Sequence, residues 1–123
     1  MAFMTDRKRA QGLGSAGTGT EHHWQMTISS AALCILVPLF VFTFGHALGM
    51  PYEEAAAYYA RPFPAIVAAL TLLVGMHHFR GGAQVAIEDY VGGFARKASI
   101  VVTICLAYGL AAIGLFAVIR LAL

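Results

Sequence analysis

Three long runs of this chain contain no Asp, Glu, Lys or Arg, and polar or turn-forming sequence bounds each of them. They extend from Met26 to Leu48, from Pro62 to Phe79 and from Ala98 to Ile119. A helix rises about 1.5 Å per residue, so the first and third runs are long enough to cross a hydrocarbon core of about 30 Å. The second keeps a helical pattern beyond its uncharged part, to about Ile87. The pattern predicts an all-α membrane protein with three transmembrane helices, over about 26–48, 62–88 and 96–121. A polar segment over 1–25 precedes them, and 26–123 forms the membrane part.

The connections agree with three spans. GMPYEEAAAYYARP, residues 49–62, carries a glycine, two prolines and three tyrosines. It reads as an interfacial loop with aromatic anchors. DYVGGFARK, residues 89–97, is short and broken by Gly-Gly. Short connections join antiparallel neighbours, so the helices run up, down, up. Arg7, Lys8, Arg9, Arg96 and Lys97 fall on one side of the membrane, and only Arg61 and Arg120 on the other. The positive-inside bias then places the N-terminus in the cytoplasm and the C-terminus in the periplasm. Trp24 and Tyr90 lie at the cytoplasmic interface.

Composition narrows the reading further. The 123 residues make one domain at most. Hydrophobic residues are 59% and charged residues 11%, against about 25% charge in soluble domains. A net charge of +2 is too small to suggest a nucleic-acid partner. Cys34 and Cys105 stand alone in apolar runs, where a thiol behaves as a small hydrophobe and supports neither a disulfide nor a CxxC metal site. Arg7-Lys8-Arg9 is followed by the polar QGLGSAGTGTEHHW, so no cleavable signal peptide is expected. Gly45, Gly75, Gly81, Gly82, Gly109 and Gly114 punctuate the spans and let another helix or a flat cofactor approach closely. Three short helices without soluble mass point to work inside a larger assembly.

The chemistry is concentrated in HHFRGGAQVAIEDY, residues 77–90. Ionisable side chains at membrane depth are costly and mark function by default. Asp89 follows His78 by 11 residues, which brings both within about 20° of one helix face. Gly75, Gly82 and Val85 fall within about 60° of that face. An imidazole flanked by glycines suits an axial iron ligand, and it equally suits an interhelical hydrogen bond or a proton relay. Tyr90 suits an aromatic belt as well as a hydrogen-bonding role, and Asp89 suits a helix-end charge as well as a proton relay. His77 points about 100° away and reads as a packing residue, and Arg80, about 200° away, faces the opposite side. His46 reads as interfacial, and His22 and His23 as solvated or at the lipid surface.

The stretch HFRGGAQVAIEDYV, His78 to Val91, with its internal Gln84-Val85 and closing Asp89-Tyr90-Val91, resembles the small hydrophobic anchor subunits of succinate dehydrogenase (respiratory complex II). GLGSAGTGTEHHWQMT at the N-terminus resembles the bacterial form, and the likeness extends over nearly the whole chain from Gly12. The resemblance implies two anchor subunits of three helices each, forming a larger bundle in the bacterial inner membrane. They hold an iron–sulfur subunit and a flavoprotein subunit. Electrons from succinate pass through iron–sulfur clusters to ubiquinone, and one haem b lies between the anchors with an axial histidine from each. By position, His78 is this chain's haem ligand. Tyr90 matches a tyrosine that hydrogen-bonds a quinone carbonyl oxygen, and Asp89 the acid beside it. The chain is expected to have no complete active site of its own. Met26 stands where many members carry arginine, which puts a cationic contact there in doubt. Rival readings are a fumarate reductase-type anchor, a small proton-coupled transporter subunit using His78, Arg80 and Asp89, and a purely structural anchor.

Overall fold

A computed structural model describes residues 5–7 and 19–123 of the chain. Lys8, Arg9 and the 12–18 part of the N-terminal motif lie outside the described residues. Among the described residues the fold is helical without strands, and its main elements are α1 (Gly19–Ala47), α2 (Tyr52–Tyr59), α3 (Pro62–Tyr90) and α4 (Gly93–Ala122). The expectation of three spans is met by α1, α3 and α4, each long and apolar enough to cross a membrane.

The helix ends depart from the uncharged runs in an instructive way. α1 begins at Gly19, so the polar GTEHHWQ stretch is already helical. Glu21 lies in its first turn, where a negative charge complements the exposed N–H groups. Gln25 Nε2 donates to Glu21 Oε1 across the next turn at 3.3 Å. α3 continues to Tyr90, which keeps Asp89 and Tyr90 helical.

The connection read as a loop from its glycine, prolines and tyrosines is instead mostly the short helix α2. Its interior explains the difference. Glu53 and Glu54 occupy the first turn, and Ala55, Ala56 and Ala57 follow, alanine being the strongest helix former. The turn formers act only at the borders. Gly49 adopts φ 87 just beyond α1, a conformation that favours glycine, and Pro62 opens α3, where its missing N–H has no intrahelical partner to lose.

α3 is the central helix. It packs against both α1 and α4, and α2 lies against α3 and α4. Of the most apolar part of α3, 22% is buried, twice the 11% of either neighbour. The buried positions are small: Ala65, Val67 and Ala68 on α3, Ala107 and Ala111 on α4, and Ser29 and Thr43 on α1. A Cβ placed on Gly114 would run into the Leu72 side chain. Lipid tails are as apolar as leucine, so membrane helices gain from close van der Waals packing, which small residues permit. Large side chains such as Ile35, Phe42 and Phe116 point outward.

This packing leads to a first prediction. Ala107 is 1% exposed, so Ala107→Leu forces α3 and α4 apart. The expected cost is about 1–3 kcal/mol, seen as earlier loss of structure when the purified protein is titrated with denaturing detergent. Exposed Ala112→Leu should leave the titration unchanged.

The end of the bundle next to α2 is closed by rings. His46 lies 5.0 Å from Tyr58, which meets Tyr59 edge-on at 5.3 Å, and the Arg61 guanidinium stands 6.0 Å from the Tyr58 ring. Burial, and then the neighbouring Tyr58, raise the Tyr59 phenol above its ordinary pKa, so it remains a protonated donor.

Candidate functional site

The two faces of α3 meet different partners, and helical geometry explains which. Val67, Thr71 and His78 share the stripe that faces α1, being close to whole turns apart. Thr71 Oγ1 donates to the Val67 carbonyl at 2.7 Å and lies 3.4 Å from the Leu36 carbonyl of α1. One turn pair further along, His78 Nδ1 lies 2.9 Å from the hydroxyl of Ser29, also on α1. Ser29 is only 5% exposed, and the bond is part-buried between the two helices. Among the described residues no hydrogen bond reaches His78 Nε2.

The opposite face carries Arg80. Its guanidinium stands 5.9 Å from the centre of the Tyr108 ring of α4. Arg80 Nε is buried with no hydrogen-bond partner among the described residues. The side chain is thus held against a neighbouring helix of its own chain, a choice its sequence position left open.

His77 is exposed on this chain and lines a groove of about 350 Å³ between α1 and α3. Gln25, Ile28, Ser29, Ala32, Leu73 and Val74 complete that groove. It is almost wholly apolar apart from His77, Gln25 and the Ser29 hydroxyl.

The glycines on the His78 side divide. Gly75 has open space where a side chain would stand, in a second apolar groove that Phe40, Ala68 and Met76 also line. Gly81 is covered: a Cβ there would sit 2.6 Å from Met26 Sδ and 3.6 Å from His22 Cε1. Gly82 lies under the Met26 methyl, 3.8 Å from the position its Cβ would take. Met26, noted as the departure from an expected arginine, therefore fills a notch in α3. His22, expected to be solvated or at the lipid surface, is half-buried beside it, and its Nε2 is buried with no partner among the described residues. His23 is exposed.

Asp89 and Tyr90 occupy the last turn of α3 and are exposed, Tyr90 to 89%. They stand about 18 Å along the helix from His78 and have no hydrogen-bond partner among the described residues. The neighbouring Glu88 is engaged by Gln84 Nε2 at 2.9 Å, and Arg96 Nε donates to the Val91 carbonyl at 2.7 Å. The chain end of α3 is thus fixed while Asp89 and Tyr90 stay free to meet other molecules.

Ser29 is the residue that sequence reasoning missed. Its one sequence signal is a pair of hydroxyls, Ser29-Ser30, inside an uncharged run. Ser30 bonds only its own helix, to the Met26 carbonyl at 2.8 Å, and the pair alone does not say which serine faces α3.

The model of a family described as succinate dehydrogenase/fumarate reductase transmembrane subunit matches residues 1–118. A succinate dehydrogenase hydrophobic membrane anchor subunit of Paracoccus denitrificans is 44% identical over 123 residues, covering 100% of this chain and 95% of that protein. No solved structure matches.

Proposed function

The chain belongs to the succinate dehydrogenase/fumarate reductase transmembrane subunit family, and from that premise we propose that it is the hydrophobic anchor of a succinate:ubiquinone oxidoreductase, holding haem b with His78 and ubiquinone with Tyr90 and Asp89. The observation that carries this reading is the placement of two kinds of chemistry on one helix. A histidine tethered through one ring nitrogen lies at depth, and an unpartnered acid and phenol lie at the exposed end.

The donor set fits a haem. A metal-bound histidine almost always donates its other ring N–H to a fixed acceptor. His78 has such a partner in Ser29, and His77 has none among the described residues. That contrast supports His78 as the axial ligand. A bound haem would supply a one-electron carrier, and a partner anchor would complete its ligation. This chain's part is to hold one imidazole in place and to exclude water through the apolar walls around it.

Reduction of ubiquinone takes two electrons and two protons, and negative charge builds on the carbonyl oxygens. The Tyr90 hydroxyl would donate to such an oxygen and stabilise that charge. Asp89, next to it at the membrane surface, is placed to pass protons from water. Both await surfaces that the chain does not itself supply. An iron–sulfur subunit carrying electrons from a flavoprotein subunit would close the quinone site, and a second hydrophobic anchor would cover the outward apolar faces of the helices. The family likeness supports a place in the bacterial inner membrane, and the charge pattern supports a cytoplasmic N-terminus and a periplasmic C-terminus.

The test is purification through a tag on this chain in mild detergent. The expected product contains flavin, iron–sulfur clusters and a b-type haem, and it reduces ubiquinone with succinate. A complex that oxidises succinate but holds no haem would sink the haem part of the reading. A chain that purifies without a succinate-oxidising partner would sink all of it.

A further inference from the structure

The Ser29 hydroxyl has more neighbours than protons. Its oxygen lies 2.8 Å from the Gln25 carbonyl oxygen, 3.0 Å from the Met26 carbonyl oxygen and 2.9 Å from His78 Nδ1. A hydroxyl carries one hydrogen and can accept through its lone pairs. The carbonyls can only accept. If the serine proton goes to its own helix, as serines in helices commonly bond the preceding turn, the contact with His78 requires Nδ1–H to donate to Ser29 Oγ. The proton is then on Nδ1, and Nε2 carries the lone pair.

We propose that Ser29 is a positioning residue for the iron ligand: the Gln25 and Met26 carbonyls orient its hydroxyl, and that hydroxyl holds His78 in the tautomer and ring orientation that leave Nε2 free to coordinate. This rests on the reading of His78 as a haem ligand. The neutral ring has two tautomers, and only the one protonated at Nδ1 coordinates through Nε2. Ser29 is buried, so its hydroxyl is held between the two helices beside the ring. A donated N–H also raises the basicity of the ligand. A more basic imidazole favours the ferric over the ferrous ion, which makes outer hydrogen bonding a lever on the haem potential.

The experiment is potentiometric titration of the haem in the intact purified complex, for wild type, Ser29→Ala, Ser29→Thr and His78→Ala. Ser29→Ala is expected to keep a b-type spectrum while its preference for ferric over ferrous iron falls about tenfold, taking the lower end of the affinity loss on removal of an outer hydrogen-bond partner as falling on the ferric state. For a one-electron couple that is an upward shift of about 59 mV. Ser29→Thr retains the hydroxyl and should titrate as wild type. If Ser29→Ala does not assemble, Ser29→Thr against Ser29→Val makes the same comparison, since the two differ by hydroxyl for methyl. An unshifted midpoint in the hydroxyl-free variant, or an equal shift in Ser29→Thr, overturns the role of Ser29 and leaves His78 as ligand. Retention of the normal haem spectrum in His78→Ala overturns the ligand assignment itself.

Discussion

His78→Ala is expected to remove the b-type haem signal from the reduced-minus-oxidised spectrum of the assembled complex, while His77→Ala leaves it in place. The two histidines are adjacent in sequence, so composition, depth and local polarity are nearly the same for both. Their environments differ. His78 is held by a hydrogen bond to a buried serine on α1, whereas His77 is exposed on the groove wall. Fixing one ring nitrogen aims the other and lowers the entropy lost on coordination, so the tethered ring is the better ligand. Loss of the ligand itself should weaken haem binding by more than the roughly 10–100-fold that loss of an outer partner brings. Alanine also vacates a polar contact with Ser29, so assembly must be checked alongside by co-purification of the flavin. A normal spectrum in His78→Ala together with a lost one in His77→Ala would exchange the two assignments.

The second large effect is expected at the other end of α3. Tyr90→Phe should slow electron transfer from succinate to ubiquinone by about 10²–10³-fold, the range for loss of one donor to developing negative charge. Succinate oxidation with an artificial dye that accepts electrons ahead of the quinone should continue at the wild-type rate. The substitution is chosen to separate two readings of the residue. Phenylalanine keeps the ring that an aromatic belt requires and removes only the hydroxyl. Tyr90 is 89% exposed within the chain, so the change disturbs no internal packing and destabilisation should be within about 0.5 kcal/mol. Unchanged quinone reduction in Tyr90→Phe would leave the ring with an anchoring role only.

Both predictions lean on residues that stood out in the sequence, and the reason is physical. A histidine and an Asp-Tyr pair on a membrane helix are conspicuous because hydrocarbon excludes such groups unless something satisfies them. Their common face followed from the 11-residue spacing alone. What satisfies them was not visible. The hydrogen bond from α3 to Ser29 joins residues 49 apart in the chain, and no local pattern encodes which serine will face which histidine. The same holds for Arg80, whose direction away from His78 was legible while its seat over Tyr108 was not. α2 departs from the expected loop for a different reason: the glycine and prolines mark only the borders of its segment, and the Glu-Glu-Ala-Ala-Ala interior makes it helical.

The sequence by itself determined the number of spans, their order and the helix on which the ionisable residues gather. It did so because a charge-free run of membrane length has one low-energy state in a bilayer, a helix that bonds all its own backbone groups. It did not determine the rotation of those helices about their axes. In lipid every apolar side of a helix is acceptable, so hydrophobicity does not say which side turns inward. Only the tertiary structure decided that, through small contacts: Met26 over Gly81, Leu72 against Gly114, and the Ser29 hydroxyl against His78. These contacts set the rotation of α3 between its neighbours, and with it which of two adjacent histidines is tethered and which is left in the groove.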